Sequence, residues 1–397
     1  MRGLKRVFKA AERANKRVVT FLLSKTVRAQ PAKVDPTTVS RVLFLRYDRL
    51  GDMIISTPLF RIVKESYPNW RIGVLGTPRN IDVVEEDPNV DDIFLFTRSP
   101  LRLIRTVRAI RHRQYDVVVN LVFYKSLTGG LLANILVPNA VKVAVDNGNL
   151  NFLYNLSVHI RGENETHIVE RTLQLLEVFS IDPSQYDRRP HLTLGLGERE
   201  RATSFLSSHQ GEGDDGLFVG FNLSAGKPEC RWTLEKYAEC ALRIRERYPY
   251  VTIVFFATSK DVPLASALQG LLQGSTLVCP PSRRIREVAA VVEWMDLLVT
   301  PDTGMVHVAS ALEVPVVGLF TRLKSTPQSW GPYGIPYRVL IAPDREPVAA
   351  IGSDEVFRAI SDLLDEVEPI NFEIRNTKSE TNSNERNTKS EAIRFRR

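Results

Sequence analysis

The chain is built from short apolar runs, separated by longer stretches in which apolar positions recur every three or four residues. RVLFLR (41–46), RIGVLG (71–76), DIFLF (92–96), DVVVNL (116–121) and VKVAV (141–145) are continuous rather than alternating. A strand covered on both faces needs apolar residues on both, so such runs predict a parallel sheet between layers of helix. The segment 52–66 has the helical period and is entered through a Gly-Asp turn. The same grammar restarts at LFVGFNL (217–223) and continues through VTIVFF (251–256), STLVC (275–279), DLLVT (296–300) and VPVVGLF (314–320). Helices are predicted near 233–248, 261–272, 284–293 and 303–312, with a closing one over 353–367. The expected fold is α/β, two doubly wound domains facing each other across a cleft. In such sheets ligands bind beyond the carboxyl ends of the strands. The domains are placed at 34–208 and 209–370, with the turn-rich HQGEGDDG (209–216) at their boundary.

The two ends read differently from the body. Residues 1–33 carry ten Lys or Arg against one acid, Glu12, so the rest of the chain holds −2 of the overall +7. Leu4, Val7, Phe8 and Ala11 fall at helical spacing with Lys5, Arg6, Lys9 and Arg13 on the flanks. The apolar stretch around VVTFLL is far short of the ~20 residues a membrane span needs. Three readings stand side by side: a basic amphipathic helix (residues 1–30) on an anionic membrane surface, a solvated helix packed on the body, or an Arg-rich, acid-poor organelle transit peptide. With the basicity confined to this arm, nucleic acid is not an expected partner. The tail 371–397 contains RNTKSE twice and is polar and repetitive, so disorder is expected there. The total of 397 residues suits two domains. Cys230, Cys240 and Cys279 form no ligand cluster and suit a reducing compartment.

Three turns that follow strands could carry chemistry. RYDRLGD (46–52) leads into a helix, with Asp52 at its entrance. An Asp there serves either as a helix cap, commonly worth ~1 kcal/mol, or as a general base facing a ligand. NLSAGKPECRW (222–232) offers a Gly-containing turn with Ser224, Lys227 and Arg231. Backbone N–H groups of such a turn can hold a phosphate while the two cations neutralise a diphosphate. TPDTGMVHVAS (300–310) places Asp302, Thr303 and Gly304 at a helix start, with His307 one turn later. Free amides and the positive end of the helix dipole there favour an anion; the alternative is a capped helix with a buried, hydrogen-bonded His. The chain has no HExxH, GxSxG or suitably placed GxGxxG, and its Asp91-Asp92 pair precedes a strand. These absences weigh against zinc and serine hydrolases, dinucleotide oxidoreductases and metal-dependent DxD transferases.

Taken in order, RVLFLRYDRLGDMIISTPLFRIVKESYPNWRIGVLG, DPNVDDIFLF, CRWTLEKYA, DLLVTPDTGMVHVASALEVPVVGLF and WGPYG resemble the ADP-heptose:lipopolysaccharide heptosyltransferases, glycosyltransferase family nine. The resemblance covers roughly 41–340. It implies a GT-B fold of two Rossmann-like domains, inversion at the anomeric carbon, and no metal or separate cofactor. The donor, ADP-heptose in the family, is a substrate. It implies Asp52 as the base, and Asp302, Thr303, Gly304 and His307 as the diphosphate cradle. Many members have a Lys two residues before the Trp of the K-x-W motif. Cys230 stands there in this chain, which leaves that contact to Arg231 or Lys227. Thr321 likewise replaces a frequent Gly after LF. The implied partners are a nucleotide sugar and a lipid-linked glycan acceptor, at the cytoplasmic face of the inner membrane. Two other readings are kept: the same fold with another nucleotide sugar such as a hexose donor, and a catalytically inactive membrane-attached binding or scaffold protein.

Overall fold

The computed structural model describes residues 29–366, apart from 98, 147, 163–164, 208–215, 273 and 324–325. The amphipathic arm as far as residue 28, the 371–397 tail and nearly all of HQGEGDDG lie outside the described residues. The strands are β1 (Arg41–Leu45), β2 (Arg71–Gly76), β3 (Asp92–Leu95), β4 (Val117–Asn120), β5 (Val141–Val145) and β6 (Leu156–Val158). They form one sheet in the order β3-β2-β1-β4-β5-β6, with every pairing parallel. The second set is β7 (Phe218–Asn222), β8 (Thr252–Phe256), β9 (Thr276–Val278), β10 (Leu297–Pro301), β11 (Val316–Phe320) and β12 (Tyr337–Ile341). These are also all parallel, in the order β12-β11-β10-β7-β8-β9. Counted from its own first strand, each sheet has the same doubly wound order. The chain reverses direction across the sheet between β1 and β4 in one, and between β7 and β10 in the other. Loops at that reversal leave a crevice at the strands' carboxyl ends, where doubly wound sheets bind their ligands.

Contacts divide the chain into two units. The first runs through Arg199 and takes in Arg283–Glu287 and Gln328–Tyr333; the second holds Glu200–Ser282, Val288–Pro327 and the chain from Gly334. Each has its own apolar core. Leu43, Leu45, Val118 and Ala144 belong to the first, and Val219, Phe221, Ile253, Leu297 and Val317 to the second. All five residues of β7, β8, β10 and β11 are buried, which is why these strands read as unbroken apolar runs.

Two expectations need correction. The segment 52–66 is not one helix but two, Leu50–Ile54 and Thr57–Ser66. Pro58 has no N–H to give the Ile54 carbonyl, and its ring would crowd that oxygen in a continuous helix. The Thr57 hydroxyl donates to Ile54 O instead (2.8 Å), and the Ser56 hydroxyl to Asp52 O (2.8 Å). Strands β6 and β12 also lie beyond the apolar runs. Both are sheet edges; β6 has only three residues, and none of β12 is fully buried.

Candidate active site

In the first unit the turn after β1 is built around a buried arginine. Arg46 is 1% exposed. Its Nε donates to Asp52 O (2.8 Å), and its Nη1 donates to Leu121 O beyond β4 and to Asp48 Oδ2 (3.3 Å). Its Nη2 lies 3.8 Å from Asp52 Oδ1, an ion pair too long to be a hydrogen bond. Arg46 thus stitches the loop after β1 to the loop after β4, the two strands that flank the sheet's reversal. From behind, Asn80 Nδ2 donates to Arg46 O (2.9 Å), while Asn80 Oδ1 accepts from Thr77 N (2.7 Å). Asp52 is the third residue of the helix Leu50–Ile54; Arg49 holds the N-cap position and makes no side-chain cap bond. The cap reading of Asp52 is therefore not the one that forms. Asp48 sits beside it. Burial, with the Asp52 charge adding to it, holds the Asp48 carboxyl above the usual carboxylate range, although Arg46 pulls the other way. Tyr124, exposed in the loop after β4, feels the charges of both carboxylates.

In the second unit the organising side chain is Asn222, the last residue of β7. Its Nδ2 donates to Thr300 Oγ1 (2.9 Å) and Thr303 Oγ1 (3.1 Å), and its Oδ1 accepts from Ser224 N (3.2 Å). Thr303 caps the helix Gly304–Ala311, its hydroxyl accepting from Met305 N (3.3 Å). One amide thus ties the Ser224 turn to the Thr303 turn, again across the pair of strands that flank the reversal. Ser224 Oγ donates to Asp261 Oδ2 (2.7 Å) and accepts from Thr258 N (2.8 Å). Arg231 pairs with Asp261 Oδ1 at 3.0 Å. Though buried, Asp261 stays below the usual carboxylate range because Ser224, Thr258 and Arg231 all support its charge. Lys227 stands outside this network, exposed and 3.5 Å from Glu229. Asp302 and His307 are both buried, His307 on the helix one turn past its start.

Of the residues singled out from sequence, Ser224, Arg231 and Thr303 are joined directly or through one side chain, Gly304 adjoins them, and Asp52 belongs to the other unit. Cys230 is buried. Burial pushes the Cys240 and Cys279 thiols up to about 12, as expected of inert packing residues. The sequence reading missed Arg46, Asn80, Asn222, Thr258 and Asp261. A signal for some was present: Asn222 is the polar end of an otherwise apolar strand, and Thr258 and Asp261 lie in the turn after β8. Among the described residues, no three His, Cys, Asp or Glu gather as metal ligands would.

The family model for glycosyltransferase family 9 (heptosyltransferase) matches residues 103–357. The chain belongs to glycosyltransferase family 9. The matched span takes in both turns of the second unit and begins after the Asp52 turn. Among relatives of this family 9 glycosyltransferase is the lipopolysaccharide heptosyltransferase 3 of Escherichia coli K12, 23% identical over 291 residues, 68% of this chain and 79% of that one. Among solved structures, a family 9 glycosyl transferase from Veillonella parvula superposes with a TM-score of 0.75 at 23% identity, covering 85% of this chain and 100% of the other. The E. coli ADP-heptose lps heptosyltransferase II gives 0.67 at 21% identity, over 83% and 99%. The family 9 enzyme thus shares the two-sheet α/β architecture of the GT-B heptosyltransferases.

Proposed function

We propose that this enzyme transfers a heptose from ADP-heptose to a lipid-linked glycan of the lipopolysaccharide kind, with inversion and without a metal ion. The observation that carries the reading is that each candidate turn falls at the reversal point of its own sheet. The names of the relatives, a lipopolysaccharide heptosyltransferase and an ADP-heptose transferase, supply the donor and acceptor classes. The body from 34 to 208 takes the acceptor and that from 209 to 370 the donor. The acceptor oxygen forms a bond to the anomeric carbon while the bond to the diphosphate oxygen breaks, and the hydroxyl proton goes to Asp52. An ion pair as long as 3.8 Å orients that carboxylate and leaves its lone pairs available to a proton. The charge developing on the departing ADP is met by amides of Thr303 and Gly304 at the helix start, by His307, and by Arg231 and Lys227. Asp302 and Ser224 shape the two turns around it. The enzyme works at the cytoplasmic face of the membrane that carries its acceptor.

The test is nucleotide release with ADP-heptose, UDP-hexose and GDP-hexose, each with and without a lipid A core acceptor, with the product anomer read by NMR. Acceptor-dependent ADP release with an inverted product is expected. Asp52→Asn is expected to lower turnover roughly 10²–10⁴-fold while ADP affinity holds. Release of UDP or GDP instead would reassign the donor, and release of none would leave a binding protein.

A further inference from the structure

The helix Pro100–Arg113 follows β3, the edge strand of the first sheet, and presents most of its surface outward. Its sequence, PLRLIRTVRAIRHR, holds five arginines and a histidine and no acid. The helical period puts Leu103, Thr106, Val107 and Ile110 on one face, and these are its buried or half-buried residues. The opposite face carries Leu101, Arg105, Arg108 and His112, flanked by Arg102 and Ile104, all exposed. Leu101 is 73% exposed and Ile104 48%. Arg113 is used in the fold, pairing with Asp92 at 3.2 Å, and Arg111 donates to Ile135 O through Nε (3.0 Å) and Nη2 (2.7 Å). Thr106 Oγ1 donates to Leu95 O (3.0 Å), which fastens the helix to the sheet edge. The platform is fixed, and the arginines at 102, 105 and 108 are left facing solvent.

We infer that this face of the helix docks on a bilayer carrying anionic lipid. Two features select that occupant. The arginines are complementary to a negative headgroup layer, and no carboxylate on the helix opposes it. Among them stand aliphatic Leu101 and Ile104, sized to enter the boundary between headgroups and acyl chains, as in helices that lie in the plane of a membrane. A nucleic-acid surface would gain nothing from bare aliphatic tips and would favour aromatic side chains for stacking; this helix has none. No helix among the described residues is long and apolar enough to cross a membrane, so attachment here is to the surface. The surface is formed by a segment of the chain other than 1–28, and the inference stands whichever sugar the enzyme moves.

The experiment places an environment-sensitive fluorophore on the full chain at Leu101→Cys and, as control, at Tyr250→Cys, which is 85% exposed in the second unit. The three native cysteines are buried, so each dye attaches at the new site. With phosphatidylglycerol vesicles the 101 probe is expected to brighten and shift to the blue while the 250 probe stays silent. Pure phosphatidylcholine is expected to leave both unchanged. Adding Arg102→Glu, Arg105→Glu and Arg108→Glu is expected to weaken the 101 response by roughly 10²-fold or more in lipid concentration. A silent 101 probe on protein that sediments with the vesicles would overturn the inference and leave binding to another segment. A response to RNA or an acidic polypeptide, with none to vesicles, would overturn it in favour of a soluble polyanion.

Discussion

Asp48 and Asp52 share one guanidinium unequally, 3.3 Å from the first and 3.8 Å from the second. Arg46 Nη2 and Asp48 Oδ1 are both buried without a hydrogen-bond partner, a costly arrangement for a structural ion pair. Because the folded chain holds Asp48 above the ordinary carboxylate range, an ionised Asp48 opposes folding at neutral pH. That penalty is relieved as pH falls through the raised value towards the unfolded one, near ~3.9. Asp48→Asn is therefore expected to raise the urea midpoint at pH 7.5, with the gain shrinking towards pH 4. Arg46→Met is expected to cost about 3–5 kcal/mol in denaturant unfolding, since two buried carboxylates lose their cation. Unchanged unfolding of Arg46→Met would show that the guanidinium does not hold this turn together.

The two strand-end turns of the second unit depend on a single residue of β7. In Asn222→Ala, Thr300, Thr303 and the Ser224 amide lose a shared partner, which is expected to cost about 1–3 kcal/mol in denaturant unfolding. His307→Ala is expected to weaken ADP binding roughly ten- to a hundredfold by calorimetry, the scale of one charge-assisted hydrogen bond. Unchanged ADP affinity in both variants would remove these turns from the donor site. At this scale the sequence was legible wherever burial was two-sided: β1, β7, β8, β10 and β11 are apolar runs because both faces are covered. Edge strand β6 is too short for such a run, the apolar VLI of half-covered β12 was passed over, and the break at Pro58 was hidden inside a helical period. The candidate turns were legible where a polar residue stands out at a helix start, as at Asp52 and Thr303. It was not legible at Arg46 and Asn222, whose importance comes from partners 75 and 78 or more positions away in the chain.

Across the whole molecule the charge is arranged rather than merely positive. Residues 1–33 hold +9 and the rest −2, yet that remainder carries an acid-free run of arginines on the helix Pro100–Arg113. On the function proposed above both segments act as membrane attachments, and the second binding event then occurs at a high effective concentration. Each Lys or Arg near an anionic surface contributes ~1 kcal/mol, and the attraction is screened by salt. The chain is fastened to the first unit from Ala29 onward: Ala29 N donates to Phe152 O (3.0 Å), Ala32 N to Asn155 O (3.3 Å) and Asn155 Nδ2 to Gln30 O (2.7 Å). A variant lacking residues 1–28 keeps those bonds and is expected to keep its melting temperature and its turnover on a water-soluble acceptor analogue. It is expected to need several-fold more phosphatidylglycerol vesicle for half-maximal sedimentation, and high salt is expected to release both forms. Were the shortened and full-length chains to sediment alike, residues 1–28 would have no membrane role, and the basic helix at the sheet edge would carry the attachment by itself.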